Sequence, residues 1–449
     1  MKKVFDEVGS LDKRCYEEFH LSEDLLMENA ANGMANFIQN KFPKSSKILI
    51  LSGSGNNGAD GIALARMLAG SYDIELFLPL GVKSSMAILQ LERAKKVCVS
   101  IVQNIGNNYD VVVECLFGSG FNKPINEEIK SLLLELNRLK GYKIACDFPV
   151  VPFEADTTIT MGALKKGLFL DGMKDYVGEI MVGNLGLSRE IYETKANCFL
   201  LEKSDMKLPF RKKLSSHKGD FGHLVVIVGD KKGAGLIACE AGFAFGTGLV
   251  SAITDDINLP LHIMQSENLP KNTTAIALGM GLGKNFNSSF LDNDIPKIID
   301  ADMFYEEVIL TILEQENIVL TPHPKEFSSL LKITGFGEIS IEELQKNRFS
   351  YVERFCQKYP QIVLLLKGAN VIIAQNENIF INTFGTAKLS FGGSGDVLSG
   401  LIGSLLAQKY TPLESAITAS LAHSLASVNY NLNDYSMQPQ DLIDEIKKL

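Results

Sequence analysis

Two kinds of apolar run alternate along the first half of the chain. Lys47-Ile48-Leu49-Ile50-Leu51 is continuous and predicts a buried strand. Leu21 to Lys41 carries its apolar residues at helical spacing, with Ser22 placed to cap it. Tyr72 to Leu78, Asp110 to Cys115 and Lys143 to Phe148 read as further strands, with helical stretches between them, and Asp60 to Leu68 as a helix. Continuous apolar strands separated by helices predict a parallel sheet covered on both faces. After Thr157 the pattern changes to shorter strands without clear helices, such as Thr157 to Met161.

The segment from Lys203 to Lys213 is charged, contains Pro209 and lacks periodicity. It predicts a boundary near residues 203–216, and so two domains, 1–205 and 206–449. Alternation then restarts. Strands are predicted at His223 to Val228, Ala275 to Gly279, Lys297 to Asp300, Ile318 to Thr321 and Val363 to Lys367. Val371 to Ala374 and Ile379 to Asn382 read as a hairpin, and Glu240 to Gly246, Ser399 to Gln408 and Leu413 to Tyr430 as helices. The fold class is α/β in both halves, with no tandem repeat and no low-complexity segment.

Composition narrows the partners. The 449 residues are 46% hydrophobic and 22% charged, as in an ordinary globular protein. A net charge of −9 argues against nucleic acid and anionic membrane surfaces. The seven cysteines form no C-x-x-C pair and lie mostly in apolar runs, which fits buried free thiols in a reducing cytoplasm. The start Met1-Lys2-Lys3-Val4-Phe5-Asp6-Glu7 has no apolar core of a signal peptide. No stretch offers the roughly 18 uninterrupted apolar residues of a membrane span.

Candidate chemistry gathers at glycine-rich loops. Phe391-Gly392-Gly393-Ser394-Gly395-Asp396 precedes an apolar run of helical spacing, so its N–H groups lie at a helix N-terminus suited to a nucleotide phosphate. Asp396 is then placed to act as a base or to steer a proton. Asp300 and Asp302, Thr321-Pro322-His323-Pro324-Lys325-Glu326, Lys367-Gly368 and Gly279-Met280-Gly281-Leu282-Gly283 each follow a predicted strand. Ligands in open α/β sheets sit at such strand ends. Taken singly, Gly281 is equally a tight turn, His323 a structural histidine and Lys367 a surface lysine. The second glycine loop, Gly53-Ser54-Gly55-Asn56-Asn57-Gly58-Ala59-Asp60-Gly61, fits the dinucleotide fingerprint poorly, but its twin asparagines suit a phosphate, a ribose or a cation.

From about His217 to Leu442 the motif set resembles the ribokinase-like superfamily, and more closely the ADP- or ATP-dependent NAD(P)H-hydrate dehydratases. It includes His217-Lys218-Gly219-Asp220-Phe221-Gly222-His223, Gly233-Ala234-Gly235 and the loops above. The resemblance implies a three-layer ribokinase-like sandwich that restores NAD(P)H from its hydrate. A nucleotide phosphorylates the ring hydroxyl, and phosphate then leaves. Asp396 would be catalytic. Lys367, Gly368, Ala369, Asn370, Val371, Gly393, Ser394 and Gly395 would bind the nucleotide, with Mg2+, and Ala234, Gly281 and His323 the hydrate. Lys325 stands where that family usually has glycine. A small-molecule kinase of the same superfamily is the competing reading.

From about residue 20 to 190 the chain resembles the NAD(P)H-hydrate epimerases. The residues are Leu26-Met27-Glu28-Asn29, the Asn56-Asn57 loop, Leu116 to Pro124 and Tyr176-Val177-Gly178-Glu179. This implies a Rossmann-like three-layer sandwich that interconverts the R and S hydrates. Asn56, Asn57, Gly58, Ala59 and Asp60, with Gly118, Ser119, Gly120, Phe121, Asn122, Lys123 and Pro124, would bind the hydrate. Asp147 would be the acid/base residue, and Asn57 and Glu114 would hold a potassium ion. The sequence departs from that family at Glu114 (usually Asp), at Val150 (usually Ser) and at Ala59 (usually Gly). A binding module without chemistry is the competing reading of this half. The resemblance further implies NADHX and NADPHX as substrates, a cytoplasmic setting and a homo-oligomer.

Overall fold

The computed structural model describes residues 1–120, 124–255, 258–283 and 287–449. The chain divides into two compact units, one of Lys3–Ala196 and one of Asn197–Leu449 with Met1–Lys2. The change falls between Ala196 and Asn197, ahead of the charged segment that marks a boundary in the sequence.

In the first unit the strands are β1 (Lys2–Phe5), β2 (Lys47–Ser52), β3 (Asp73–Phe77), β4 (Ser100–Val102), β5 (Val111–Cys115), β6 (Tyr142–Cys146), β7 (Thr157–Met161), β8 (Leu164–Lys165) and β9 (Glu179–Gly183). Seven form one sheet in the order β4-β3-β2-β5-β6-β7-β9, every pair parallel. The short β1 and β8 pair in parallel with each other and are not strands of that sheet. The interior strands β2 and β5 are buried almost throughout, because a parallel sheet covered on both faces needs apolar residues on both. One covering helix, Glu23–Lys41, is capped by Ser22, whose hydroxyl accepts from the Leu25 N–H (3.4 Å).

Another helix, Asn56–Leu68, begins four residues earlier than the spacing predicts. Asn-Asn-Gly reads as loop because those residues are poor helix formers. Here packing decides. A side chain at Gly58 would lie 1.8 Å from the Gly53 carbonyl, and one at Gly61 2.5 Å from Ser52 Oγ, so only glycine lets the helix lie against the end of β2.

The second unit contains β10 (Cys198–Leu200), β11 (His223–Ile227), β12 (Leu249–Ile253), β13 (Met264–Ser266), β14 (Ala275–Leu278), β15 (Lys297–Ile299), β16 (Ile318–Leu320), β17 (Val363–Leu366), β18 (Val371–Gln375) and β19 (Asn378–Asn382). Their order is β13-β12-β11-β14-β15-β16-β17-β18-β19-β10. Only β17-β18 and β18-β19 are antiparallel, the latter being the expected hairpin. Helix Ser394–Ala407 starts five residues before its predicted start, and Pro412–Asn429 lies close to its predicted span. Both pack into one core with helix Lys232–Ala244 and strands β11, β14 and β15.

None of the seven cysteines is in a disulfide; six are buried and Cys98 is exposed. Among the described residues no helix is long and apolar enough to cross a membrane.

Candidate functional sites

Each sheet has a switch point where the chain turns from building one side to building the other, and loops diverge there to leave a crevice. In the second unit it lies between β11 and β14. Gly229 follows β11 and Gly279–Gly283 follow β14. The crevice is a cavity of about 530 Å³ lined by Val228, Gly229, Thr254, Asp255 and Leu282 among others. Gly281, at φ 58°, closes on the start of helix Lys232–Ala244: a Cβ there would lie 3.2 Å from that of Ala234. The two expected hydrate contacts are therefore neighbours. A larger cavity of about 620 Å³, lined by Thr273, Asn317 and Lys409 among others, lies at the amino ends of β14 and β16 and contains none of the expected site residues.

The next strand ends carry the charge. Asp300, after β15, is almost fully buried. Its Oδ1 accepts from Lys367 Nζ (2.6 Å) and the Ala301 N–H (2.9 Å), and its Oδ2 from Ser399 Oγ (2.7 Å). Lys367, after β17, is fixed by its own N–H to Pro322 O (2.9 Å) and by fully buried Arg348, which donates to Lys367 O (3.0 Å). It is not a free surface lysine. Lys367 and Asp300 both face the Gly392–Asp396 loop, since a Cβ on Gly395 would lie 3.2 Å from Lys367 Nζ and 3.9 Å from Asp300 Oδ2.

That loop opens helix Ser394–Ala407 from Gly393 at φ 101°, and no side chain caps the helix. Its first N–H groups are free for an anion, with the Lys367 ammonium beside them. His423 Nε2–H donates to Ser394 O (2.9 Å) and braces the first turn. The Asp396 carboxylate makes no hydrogen bond to any described residue. Burial, then the negative charge of Asp300, pushes its carboxyl up to about 6 against the pull of Lys367. Ala369 and Asn370 lie in the turn from β17 into β18, downstream of Gly368, and Val371 opens β18.

His323 caps helix Pro324–Ile333. Its Nδ1 accepts from the Lys325 and Glu326 N–H groups (3.1 and 3.2 Å), and its Nε2 lies 3.1 Å from Glu326 Oε1. The proton therefore sits on Nε2, and burial lowers the ring's pKa, which keeps it neutral. Glu326 ends the strand-end stretch singled out in the sequence, but its own role was not legible there. Burial and Asp300 raise it to about 7, in the same field as Asp396. The available signal was its third-position place in a capping box. Lys325 is exposed, so the departure from glycine does not fill the site.

In the first unit the switch point lies between β2 and β5, with Gly53 and Leu116 at their ends. Asp147 follows β6 at φ 67°, a left-handed conformation that costs of order 1 kcal/mol in a non-glycine residue. Its Oδ2 accepts from the Ser119 N–H (3.0 Å). Its Oδ1 accepts from the Met161 N–H (3.1 Å) and from Lys165 Nζ. Lys165 is buried and also donates to Thr160 Oγ1 (2.8 Å) and Met161 O (3.2 Å). Burial alone would raise the Asp147 pKa. The Lys165 charge and these hydrogen bonds hold it below the usual carboxylate range. Asp147 is an ionised, positioned group, not a solvated strand end.

Gly118 brings its loop to the same point: a Cβ there would lie 3.1 Å from Asp147 Oδ2 and 3.6 Å from Asn57 Oδ1. Asn57 Nδ2 is buried without a hydrogen-bond partner. Asp60, raised well above its ordinary value by burial and then by Asp147, faces a cavity of about 110 Å³ with Asp12, Glu23 and Asn56. Asn56 Nδ2 donates to Glu23 Oε1 (2.6 Å). Gly58 and Ala59 lie in the first turn of the helix, buried beneath these groups. Pro124 and Gly118 border a cavity of about 480 Å³ with Lys130 and Val150. Gly120 closes the described part of the loop, and Phe121, Asn122 and Lys123 lie outside the described residues. Lys165 is the group missed in this unit.

Potassium at Asn57 and Glu114 does not fit this arrangement. Glu114 is fully buried, and its carboxylate accepts from the Leu116 N–H (2.7 Å), the Val150 N–H (3.1 Å) and the Phe117 N–H. Val150 brings no side-chain oxygen. A cation needs converging oxygen lone pairs, and here N–H groups converge. The nucleotide does fit, because the uncapped helix start and Lys367 form an anion site. Magnesium fits only together with it: among the described residues no group of three or more His, Cys, Asp or Glu side chains could hold a metal. Mg2+ is commonly bound by one or two carboxylates plus phosphates.

Comparison with known proteins joins the two sites. A family model described as NAD(P)H-hydrate dehydratase matches residues 224–448, and one described as YjeF-related protein N-terminus matches residues 23–167. The bifunctional NAD(P)H-hydrate repair enzyme of Helicobacter pylori is 45% identical, with 100% of each chain covered. The chain belongs to the bifunctional NAD(P)H-hydrate repair enzyme family. The Escherichia coli repair enzyme is 31% identical, over 94% of this chain and 88% of its own. A ribokinase-like superfamily protein from Enterococcus faecalis aligns with 57% of this chain and 96% of its own, at a TM-score of 0.48 and 24% identity.

Proposed function

We propose that this repair enzyme divides its work between its two units. The second unit dehydrates the S hydrates of NADH and NADPH at the expense of ADP or ATP, and the first interconverts the R and S forms. The observation that carries the dehydratase reading is the juxtaposition of three features. An uncapped helix N-terminus, the Lys367–Asp300 pair and the unpartnered Asp396 carboxylate share one strand-end site.

In that site the amides of Gly393, Ser394 and Gly395 and the Lys367 ammonium hold the transferring phosphoryl group. Asp300 keeps Lys367 in place, and Ser399 keeps Asp300 in place. Asp396 takes the proton of the ring hydroxyl as its oxygen attacks phosphorus and the nucleotide leaves. Phosphate then departs with the C–O bond electrons and accepts the proton lost by the adjacent ring carbon, and the double bond returns. Ala234, Gly281 and His323 line the hydrate side. Mg2+, when bound with the nucleotide, neutralises phosphate charge.

In the first unit, the Lys165–Asp147 pair supplies and recovers a proton. The hydroxyl leaves as water, the ring nitrogen lone pair stabilises the carbon, and water returns to the opposite face. Asn57 offers its free Nδ2–H to the substrate. By the family resemblance the protein acts in the cytoplasm as a homo-oligomer.

The test is product analysis of hydrate incubated with ADP or ATP and Mg2+. Reduced nicotinamide and inorganic phosphate in equal amounts support the proposal. A stable phosphate ester without loss of water would make the second unit a kinase. Hydrate untouched with every nucleotide would refute the dehydratase reading.

A further inference from the structure

Glu114 has no role in the proton transfers above, yet it occupies a central position in the first unit. It is the next-to-last residue of β5, fully buried, and its two oxygens bridge separate loops. Oε1 accepts from the Leu116 N–H (2.7 Å), just ahead of Gly118 and Ser119. Oε2 accepts from the Val150 N–H (3.1 Å), three residues after Asp147. The Phe117 N–H adds a third bond. The loop so held delivers the Ser119 N–H to Asp147 Oδ2 (3.0 Å). Glu114 therefore ties together the two segments that shape the Asp147 site.

We infer that the Glu114 carboxylate does the mechanical work of a bound cation in this unit, so that the Leu116–Ser119 loop and the Val150 turn are held without potassium. The inference rests on the epimerase reading of the first unit. Three N–H donors already occupy most of the lone pairs of this carboxylate, which leaves few to turn toward a cation. The extra methylene of Glu over Asp carries the charge out to those amides. Val150 contributes no oxygen. Asn57 does not alter this, since turning its amide to present Oδ1 would add a single side-chain oxygen.

Glu114 is thus a positioning residue for Asp147, and the test reads the loops themselves. Amide hydrogen exchange is followed in the full chain over residues 114–120 and 147–152, in potassium chloride and in choline chloride at equal ionic strength. Exchange is expected to be the same in both salts. A cation bound at a hundred times its dissociation constant would slow opening by about a hundredfold, and protection of that kind would overturn the inference.

In Glu114→Gln an NH2 group faces an amide N–H. Exchange in one of the two segments is expected to rise by about tenfold or more, with no restoration by potassium. Unchanged exchange, or rescue by potassium, would contradict the proposal. Should that variant fail to fold, Glu114→Asp combined with Val150→Ser restores the family's oxygen set. Its loops are expected to become protected by potassium, and cation-independent protection equal to the parent's would overturn the proposal. Exchange reads the loops whether or not hydrate turns over. Loops indifferent to potassium in a chain that does not interconvert the hydrates would therefore refute only the epimerase reading.

Discussion

Replacing Lys165 by methionine removes the buried cation and leaves Asp147 in place. The Lys165 side chain is 2% exposed and that of Asp147 13%, so solvent screens the pair little. Removing one partner of a buried pair costs about 3–5 kcal/mol, because the other charge is left uncompensated. The Ser119 and Met161 N–H groups still hold the carboxylate, which places the loss near the lower figure, about 3 kcal/mol. That is a large share of a typical folding free energy of about 5–15 kcal/mol.

The sign of the pH dependence separates this account from simple loss of packing. In the parent chain the Asp147 pKa is depressed, so its contribution is full above the unfolded value of 3.8 and is lost as pH falls below it. In Lys165→Met, burial dominates and the pKa rises above the unfolded value. The penalty is then largest at neutral pH and shrinks as acid protonates the carboxyl. The assay is urea unfolding of the full chain for the parent, Lys165→Met, Asp147→Asn and the double variant, at neutral and mildly acidic pH. The double variant is expected to cost about 2 kcal/mol less than the sum of the singles. Additive losses, or a Lys165→Met penalty that does not shrink in acid, would refute the reasoning.

Three further outcomes are expected. Asp396→Asn should lower the dehydration rate by about 10²–10⁴-fold while leaving unfolding within about 1 kcal/mol, because this carboxylate has no hydrogen-bond partner to lose. In the parent chain the dehydration rate should fall as pH drops through about 6, where burial places the Asp396 carboxyl, as a pH–rate profile would show. Gly393→Ala sets a side chain at φ 101°, 2.8 Å from Pro439 Cγ, and should weaken nucleotide binding by about tenfold or more in calorimetry, with a stability loss of about 1–2 kcal/mol.

The sheet order follows from patterns visible in the chain: unbroken apolar strands such as Lys47–Ser52, punctuated by glycine loops, lead to a parallel sheet and to strand-end sites. Helix starts were less legible. At Asn56 and at Ser394 glycines obscure the beginning of a helix, because their role is close approach to another element, which periodicity does not record. Lys165 was missed for a related reason. It lies in a two-residue strand, too short to show alternation, and its partner Asp147 is 18 residues away. The one local signal was a pair of lysines inside the apolar run Met161 to Leu170, which can be buried only if paired. Lys165 and Lys166 do pair, with Asp147 and Asp6. Asp300 was visible as a strand-end acid, but its anchoring by Ser399 depends on a contact between residues 99 positions apart. The meaning of Glu114 was half legible: the departure from Asp could be read, whereas the three amides that receive the longer side chain are set by the fold.

The most direct test of the account follows reduced-nicotinamide absorbance as the enzyme, with Mg2+ and ADP or ATP, acts on a mixture of R and S hydrates under conditions of slow spontaneous interconversion. Full recovery at the enzymatic rate is the expected result, with both units at work, and the active nucleotide is identified in the same experiment. Recovery that stalls once the S form is consumed would contradict the role given to Asp147 and Lys165, and no recovery at all would contradict the role given to Asp396.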